Sequence, residues 1–266
     1  MLARILCFNL FIVVTVRSID YRLWNYEYPI FHSFDDIMSV LKEEGNHEKG
    51  LVLRILNTYY NICLFAPEPP VLNTKRRAFI VIEGNERARR ELVGRVMAEK
   101  LGARFLLQPP KCFIDLIKEV KESSTRIRRA FYGLALYTTA FNVKQLWNLD
   151  TPVIVNGYWT EQTAFILGKR FSSETLPIPR DPVYEHPKDL LRPDLIYYLH
   201  YPLRSLTVNN WYQKPLNWDL YWRFKDPSPY IYSMGEVEHA DEEYLSNHAW
   251  QCILNNPNIT PPAVNF

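Results

Sequence analysis

The chain has 266 residues, of which 47% are hydrophobic, and this is enough for one large globular domain or two modest ones. Its formal net charge at pH 7 is +2, so bulk electrostatics give no reason to expect a nucleic-acid binder. The four cysteines, Cys7, Cys63, Cys112 and Cys252, form no C-x-x-C motif and no cluster with histidine. Their spacing therefore predicts no thiolate metal site and does not require a disulfide framework.

Residues 1–22 have the character of a targeting or signal-like segment. Arg4 precedes an apolar run, Ile5–Val16, that is too short to span a bilayer. The positive charges of Arg4, Arg17 and Arg22 favour a mitochondrial presequence, and a mitochondrial location is predicted. The alternative is the secretory pathway, because the apolar run is also typical of a signal peptide. A packed N-terminal element of the fold is a third interpretation.

Residues 23–75 are predicted to form a helical N-terminal extension. Apolar residues recur at helical spacing on both sides of Gly45 and Gly50, so the segment 28–66 is expected to be a helical hairpin. Three prolines between residues 67 and 70 then give a stiff connection to a larger domain, which is predicted to span residues 76–266.

The stretch that organises the rest of the sequence is Ala78–Leu101. A short apolar run ends at Glu83 and Gly84, as is typical of a buried parallel strand. Apolar residues then recur at spacings of three and four as far as Leu101, which predicts a helix. A strand, a turn and a helix in this order can hold a phosphate against the amides at the start of the helix. The stretch therefore predicts a phosphate-binding fold.

The phosphate-loop signature G-x-x-x-x-G-K-[ST] is only partly present in that turn. Gly84 holds the first position, whereas Arg89, Arg90 and Glu91 replace the second glycine, the lysine and the hydroxyl. Arg89 adds a bulky side chain where the backbone must wrap closely around a phosphate. The planar guanidinium of Arg90 is not equivalent to the compact ammonium of lysine, and the carboxylate of Glu91 repels polyphosphate. Two interpretations follow: a solvated helix start without a ligand, or an altered phosphate site. The remnant of the loop consists of Gly84, Asn85, Arg87, Arg89 and Arg90.

Beyond Leu101, short apolar runs alternate with helical periodicity. Such alternation predicts a parallel sheet with helices on both faces, which is a three-layer α/β/α architecture. The segment after Tyr201 is rich in tryptophan, tyrosine and proline, and it shows no regular periodicity before a final helix. The predicted strands are 103–107, 152–155 and 195–200, and the predicted helices are 113–120, 127–147, 163–171 and 236–254.

Five segments together point to a known family. They are FIVIEG at 79–84, QPPKC at 108–112, IRRAFYGLALY at 127–137, TPVIVNGYW at 151–159 and DPVYEHPKDLLRPDLIYYL at 181–199. These segments resemble the thymidylate kinase family, and within it the mitochondrial UMP-CMP kinases. The last four keep the family's order and approximate spacing. The resemblance implies a P-loop NTPase fold, transfer of the γ-phosphoryl group of ATP to a pyrimidine nucleoside monophosphate with Mg²⁺, and a homodimer.

The departures from the family fall on the parts that handle ATP. At the end of the third strand the family has Asp-Arg-Tyr, in which the aspartate organises the metal and substrate region and the arginine contacts phosphate. This chain has Asn156, Gly157 and Tyr158 there. Of the lid that closes over ATP in the family, Arg204 is the remnant. No intact catalytic residue and no metal site is predicted, and the degenerate catalytic positions are Arg90, Glu91, Asn156 and Gly157.

The substrate side of the family's site is better kept. The resemblance implies that Arg128 or Arg129 holds a phosphate and that Phe131 stacks on a base. The alternative is that one arginine is a surface charge and that Phe131 belongs to the core. The substrate-binding candidates are Pro109, Pro110, Arg128, Arg129, Phe131, Tyr132, Tyr158 and Trp159.

Three ATP-handling elements thus depart from the family while the hydrophobic framework persists. The predicted function is that of a nucleoside monophosphate kinase homologue with impaired or absent catalysis, which binds a pyrimidine nucleoside monophosphate. ATP and Mg²⁺ are cofactors only if the family activity survives. One alternative is a weakly active ATP-dependent pyrimidine nucleoside monophosphate kinase. The other is a secreted or scaffolding protein that binds a partner through its aromatic tail.

Overall fold

The computed structural model describes residues 28–67, 76–201, 216–235 and 238–261. Its centre is a sheet of five strands in the order β2-β3-β1-β4-β5, with every neighbouring pair parallel. The predicted parallel α/β architecture and the strand that opens the organising stretch are confirmed. The strands are β1 (Phe79–Gly84), β2 (Arg104–Leu107), β3 (Val153–Asn156), β4 (Leu195–His200) and β5 (Tyr230–Ser233).

Helices cover both faces of this sheet and give the three predicted layers. On one face, Ile80 and Ile82 of β1 share an apolar cluster with the helices Arg87–Lys100 and Glu238–Leu254. On the other face, Phe79 and Val81 of β1 pack with the helices Thr125–Asn148, Trp159–Arg170 and Leu216–Tyr221. Because β1 is buried on both faces, its sequence is a continuous apolar run. The helices are α1 (Phe34–Glu44), α2 (Lys49–Thr58), α3 (Arg87–Lys100), α4 (Ile117–Glu122), α5 (Thr125–Asn148), α6 (Trp159–Arg170), α7 (Leu216–Tyr221) and α8 (Glu238–Leu254).

The N-terminal extension lies against the side of α5 that faces away from the sheet. The helix α1 begins after Ser33, whose hydroxyl accepts the backbone N–H of Asp36 at 3.1 Å. Apolar side chains of α1 and α2, such as Ile37 and Ile55, form one cluster with Ile127 and Leu134 of α5. The segment thus contains two helices, and α5 is buried on two sides.

A disulfide bond links the extension to the segment after β2. Cys63 lies at the end of the π-helical turn Tyr59–Cys63 that continues α2, and Cys112 lies in the 3-10 helix Lys111–Leu116. Cysteine spacing does not by itself define a pairing, so this bridge could not be predicted from the sequence. Instead of the single helix predicted at 113–120, the structure has this 3-10 helix followed by α4.

The segment after Tyr201 contains regular structure that its periodicity did not reveal. Within it, α7 precedes β5, which extends the sheet beside β4 in the register Tyr197↔Tyr230. Residues 216–221 and 230–233 are thus regular although no periodicity predicted them, since a strand of four residues is too short to show a period of two. The predicted segment 1–22 lies outside the described residues. Among the described helices, none has both the length and the apolar composition needed to cross a bilayer.

Candidate functional site

The turn between β1 and α3 is short and is tied to the end of β4. Only Asn85 and Glu86 separate Gly84, the last residue of β1, from Arg87, the first residue of α3. The Asn85 carboxamide donates to the carbonyl oxygen of Tyr201 at 2.9 Å and accepts the N–H of the same residue at 2.8 Å. The side chain of this loop residue therefore serves an internal contact.

The side chain of Arg90 is directed into the protein. It is only 4% exposed, its Nη1 lies 2.5 Å from Oε1 of Glu161, and the same nitrogen donates to the carbonyl oxygen of Gly84 at 3.2 Å. Burial alone would lower the pKa of Arg90, but the Glu161 carboxylate, together with Tyr221 and Glu83, raises this pKa above its ordinary value. Arg90 is thus a permanently charged partner of an internal carboxylate.

A second carboxylate, that of Glu83, is completely buried beside this ion pair. Its Oε1 accepts the backbone N–H groups of Tyr158 and Glu161, each at 3.1 Å, and its Oε2 accepts the hydroxyl of Tyr221 at 2.7 Å. Burial raises the pKa of Glu83 to about 8, the Glu161 carboxylate acts in the same direction, and the Tyr221 hydrogen bond opposes them. Glu83 therefore lies without solvent access beside the ion pair of Arg90 and Glu161.

The other charged side chains near the start of α3 point in different directions. Arg87 donates to a backbone carbonyl in the loop after β2 at 3.3 Å. The guanidinium carbon of Arg89 lies 5.1 Å from the centre of the Tyr201 ring, as in a cation–π contact. Glu91 pairs with Arg95 one helical turn later at 2.7 Å. The structure therefore does not bring the three loop arginines to a common point where they could hold a phosphate.

Asn156 and Gly157, at the end of β3, adjoin the buried ion pair. Gly157 has a φ of +83°, and a Cβ atom at this position would overlap the carboxylate of Glu161. Nη2 of Arg90 lies 3.7 Å from the position of that Cβ. Asn156 is 3% exposed, and its Oδ1 has no hydrogen-bond partner within the described ranges. At Gly157, where the resemblance implies an arginine, the structure leaves no room for a side chain. The guanidinium of Arg90 lies beside this position.

Pro109 and Pro110 line an open cavity of about 850 Å³ that runs along β2. Arg87 of the loop remnant lines the same cavity, together with Arg104 and Lys111. The structure thus brings the predicted substrate-loop prolines next to one residue of the predicted phosphate loop. The volume lies within the range of about 300–1,000 Å³ that is typical of sites for small molecules.

Arg129 and Trp159 line a separate space, between α5 and α6, that is nearly filled. Its volume is about 20 Å³, which is too small for a nucleotide. The extension fills this space, since the indole N–H of Trp159 donates to the carbonyl oxygen of Phe31 at 2.9 Å. A Cβ atom at Gly133 would lie 2.8 Å from the Ile37 side chain, so the absence of a side chain permits this close packing.

Phe131 does not have the position that stacking on a base requires. Its ring is 0% exposed and lies edge-on to Phe113 at 4.9 Å between centres, so the alternative of a core ring holds. Tyr132 is half-buried beside it. Arg128 donates to a backbone carbonyl at the end of α4, and the buried Tyr158 donates to a backbone carbonyl ahead of β4, both at 3.0 Å. Arg204 lies outside the described residues.

A third space, which the sequence analysis did not find, lies between the extension and the loop ahead of β4. It is an open cavity of about 700 Å³ lined by His32 and His186 among other residues. Burial lowers the pKa of both histidines, to about 4 for His186. The sequence signal was the segment 181–199, which carried the resemblance without a residue role. Throughout the described residues there is no group of three or more His, Cys, Asp or Glu that could hold a metal ion.

Comparisons with known proteins agree with this architecture. No family model matches the chain. A stretch of 122 residues, 45% of the chain, is 35% identical to the human protein named UMP-CMP kinase 2, mitochondrial, and spans 27% of that protein. The structure is similar to that of thymidylate kinase from Candida albicans, with a TM-score of 0.51 and 18% identity over 70% of this chain and 95% of that structure. The chain therefore has the P-loop kinase fold of thymidylate kinase, and 45% of it is similar in sequence to a nucleoside monophosphate kinase.

Proposed function

We propose that this chain is a nucleoside monophosphate kinase homologue that transfers little or no phosphate. The observation that carries the proposal is the position of Arg90, which occupies the place of the loop lysine in the sequence. Its guanidinium is buried, paired with Glu161 and bonded to the carbonyl oxygen of Gly84. To reach a polyphosphate, this buried side chain would have to break its ion pair with the Glu161 carboxylate, which is only 20% exposed, and the loss of such a partner costs about 3 kcal/mol.

Two further features support the proposal. The turn after β1 has two residues between the strand and the helix, and the side chain of Asn85 in it is bonded to Tyr201. At the end of β3, Asn156 and Gly157 supply neither the carboxylate nor the guanidinium that the family has there. Phosphoryl transfer depends on positioning and on neutralising charge. ATP with Mg²⁺ therefore does not fit the residues present at this turn.

The test is a direct assay of phosphate transfer. The full chain is incubated with ATP, Mg²⁺ and UMP, CMP or dTMP, and nucleoside diphosphate is measured against a blank without protein. We expect no product above the blank, while a kinase with an intact loop provides the positive control. Product that Arg90→Ala abolishes would contradict the proposal and establish the weakly active kinase instead. Product that is unchanged in Arg90→Ala and stays with the chain through a second purification step would contradict the proposal as well.

We also propose that the cavity beside β2 retains the binding of a pyrimidine nucleoside monophosphate. Three observations support this: its volume of about 850 Å³, the presence of Pro109 and Pro110 in its wall, and the cationic side chains of Arg87, Arg104 and Lys111. The relationship to nucleoside monophosphate kinases supplies the class of ligand. A monophosphate carries negative charge, which these residues would attract.

Thermal unfolding in the presence of ligands tests this binding. A ligand at a hundred times its dissociation constant stabilises a protein by about 2.7 kcal/mol. We expect UMP, CMP or dTMP to raise the Tm and ATP with Mg²⁺ to leave it unchanged. Lys111→Met should reduce the rise, whereas Lys188→Met, in the wall of the 700 Å³ cavity, should not. A Tm that no monophosphate changes would contradict retained binding.

A further inference from the structure

The segment 258–260 packs against the core beside Arg76, with the side chain of Ile259 directed inward. Arg76 donates its backbone N–H to the carbonyl oxygen of Asn258 at 3.3 Å, and Thr260 donates its N–H to the carbonyl oxygen of Arg76 at 2.9 Å. Ile259 is 3% exposed and belongs to the apolar cluster under α3 and α8. Because side chains alternate along extended backbone, Asn258 is left exposed on the other side.

Asn258, Ile259 and Thr260 form the acceptor sequence N-x-[ST] for N-linked glycosylation. The Asn258 carboxamide makes no hydrogen bond to any residue that the structure describes, and only its backbone groups are engaged. The hydroxyl of Thr260 likewise makes no hydrogen bond to any residue that the structure describes. A glycan on this carboxamide would therefore extend into solvent without displacing a side-chain contact.

An independent feature points to the compartment in which such glycans are added. Cys63, which is 2% exposed, is joined to Cys112 by a disulfide bond. Disulfide bonds form and persist in oxidising compartments and are rare where thiols are kept reduced. In addition, the apolar run Ile5–Val16 after Arg4 is compatible with a secretory signal peptide.

We propose that this chain enters the lumen of the secretory pathway, where Asn258 receives an N-linked glycan. Nδ2 of Asn258 attacks the anomeric carbon of an oligosaccharide carried on a lipid pyrophosphate. A carbon–nitrogen bond forms, the carbon–oxygen bond to the pyrophosphate breaks, the amide loses one proton, and the lipid pyrophosphate leaves. In the same compartment Cys63 and Cys112 lose two electrons and two protons to a protein disulfide, which is reduced to a dithiol. This proposal does not depend on the nucleotide site.

The test is the removal of the glycan from the full chain expressed in cultured animal cells. After treatment with peptide N-glycosidase F, we expect the wild type and Thr260→Ser, which keeps the acceptor sequence, to lose the mass of one glycan. Asn258→Gln and Thr260→Ala should show no change. Thr260 is held by its backbone N–H, so we expect Thr260→Ser and Thr260→Ala both to preserve the fold. A wild type without any change in mass would overturn the assignment of Asn258.

A reporter variant separates the site from the compartment. Ser173→Asn creates a second acceptor sequence with Thr175 in an exposed loop. If this variant carries a glycan and the wild type does not, Asn258 is not the site. If neither carries one, entry into the secretory pathway is overturned as well. Alkylation of the denatured protein should modify two more cysteines after reduction than before it, and an unchanged number would overturn the disulfide bond.

Discussion

The buried carboxylate of Glu83 makes the stability of this protein depend on pH, and Glu83→Gln should abolish that dependence. The pKa of Glu83 is raised from 4.5 to about 8 in the folded state, first by burial and then by Glu161. Between these values the folded chain holds a proton that the unfolded chain has released. The stability that this group contributes is therefore fully present below its unfolded pKa and is lost as the pH rises through its folded pKa.

The magnitude follows from the size of the shift. One proton held only by the folded state lowers the free energy of unfolding by about 1.4 kcal/mol for each pH unit gained. Across the interval between the two pKa values, this amounts to several kcal/mol. Glutamine is neutral, has the same shape and can still accept the backbone N–H groups of Tyr158 and Glu161. We therefore expect Glu83→Gln to gain stability relative to the wild type as the pH rises.

The assay is urea unfolding, followed by tryptophan fluorescence, at several values between about pH 5 and pH 8. The histidines are present in both proteins, so their contributions cancel in the difference between wild type and variant. Glu91→Gln is the matched control, because it removes a partly exposed carboxylate from the surface of α3, and its curve should run parallel to that of the wild type. If the curve of Glu83→Gln is also parallel to that of the wild type, the reasoning is refuted.

Three other changes test the packing around the site. Arg90→Met leaves the Glu161 carboxylate, which is 20% exposed, without its buried cation and should cost about 3 kcal/mol, whereas Arg95→Met removes an exposed pair and should cost less than about 1 kcal/mol. Gly157→Ala meets a positive φ and the Glu161 carboxylate, and it should cost about 2 kcal/mol or more. Cys112→Ser opens a loop of 49 residues and should cost about 4 kcal/mol, while Cys252→Ser should be nearly neutral. Urea unfolding measures each of these, and equal costs for Arg90→Met and Arg95→Met would contradict the inward position of Arg90.

The sequence was sufficient for those parts of the fold whose signals are local. The apolar run of β1 is continuous because both of its faces are buried, and the spacing that follows it identified α3. The strand β5 gave no such signal, because it has four residues and depends on β4 for its position. The pairing of Cys63 with Cys112 likewise depends on the docking of the extension.

The candidate site was harder to predict than the fold. Sequence position identified the degenerate turn, but it could not give the direction of the Arg90 side chain, since that depends on Glu161 in a distant helix. It also placed Phe131 and Trp159 with the substrate. The first is a core ring, and the second is covered by Phe31, whose segment precedes the resemblance. In both cases the deciding contact comes from a distant part of the chain.

The ion pair between Arg90 and Glu161 constrains which substitutions the chain can accept singly at positions 90 and 157. Lysine at position 90 would give up the planar, two-pronged guanidinium beside Glu161. A side chain at Gly157 would meet a positive φ and would collide with the Glu161 carboxylate. Positions 90, 157 and 161 are therefore expected to be epistatic, so that a change at one of them is tolerated only together with a change at another.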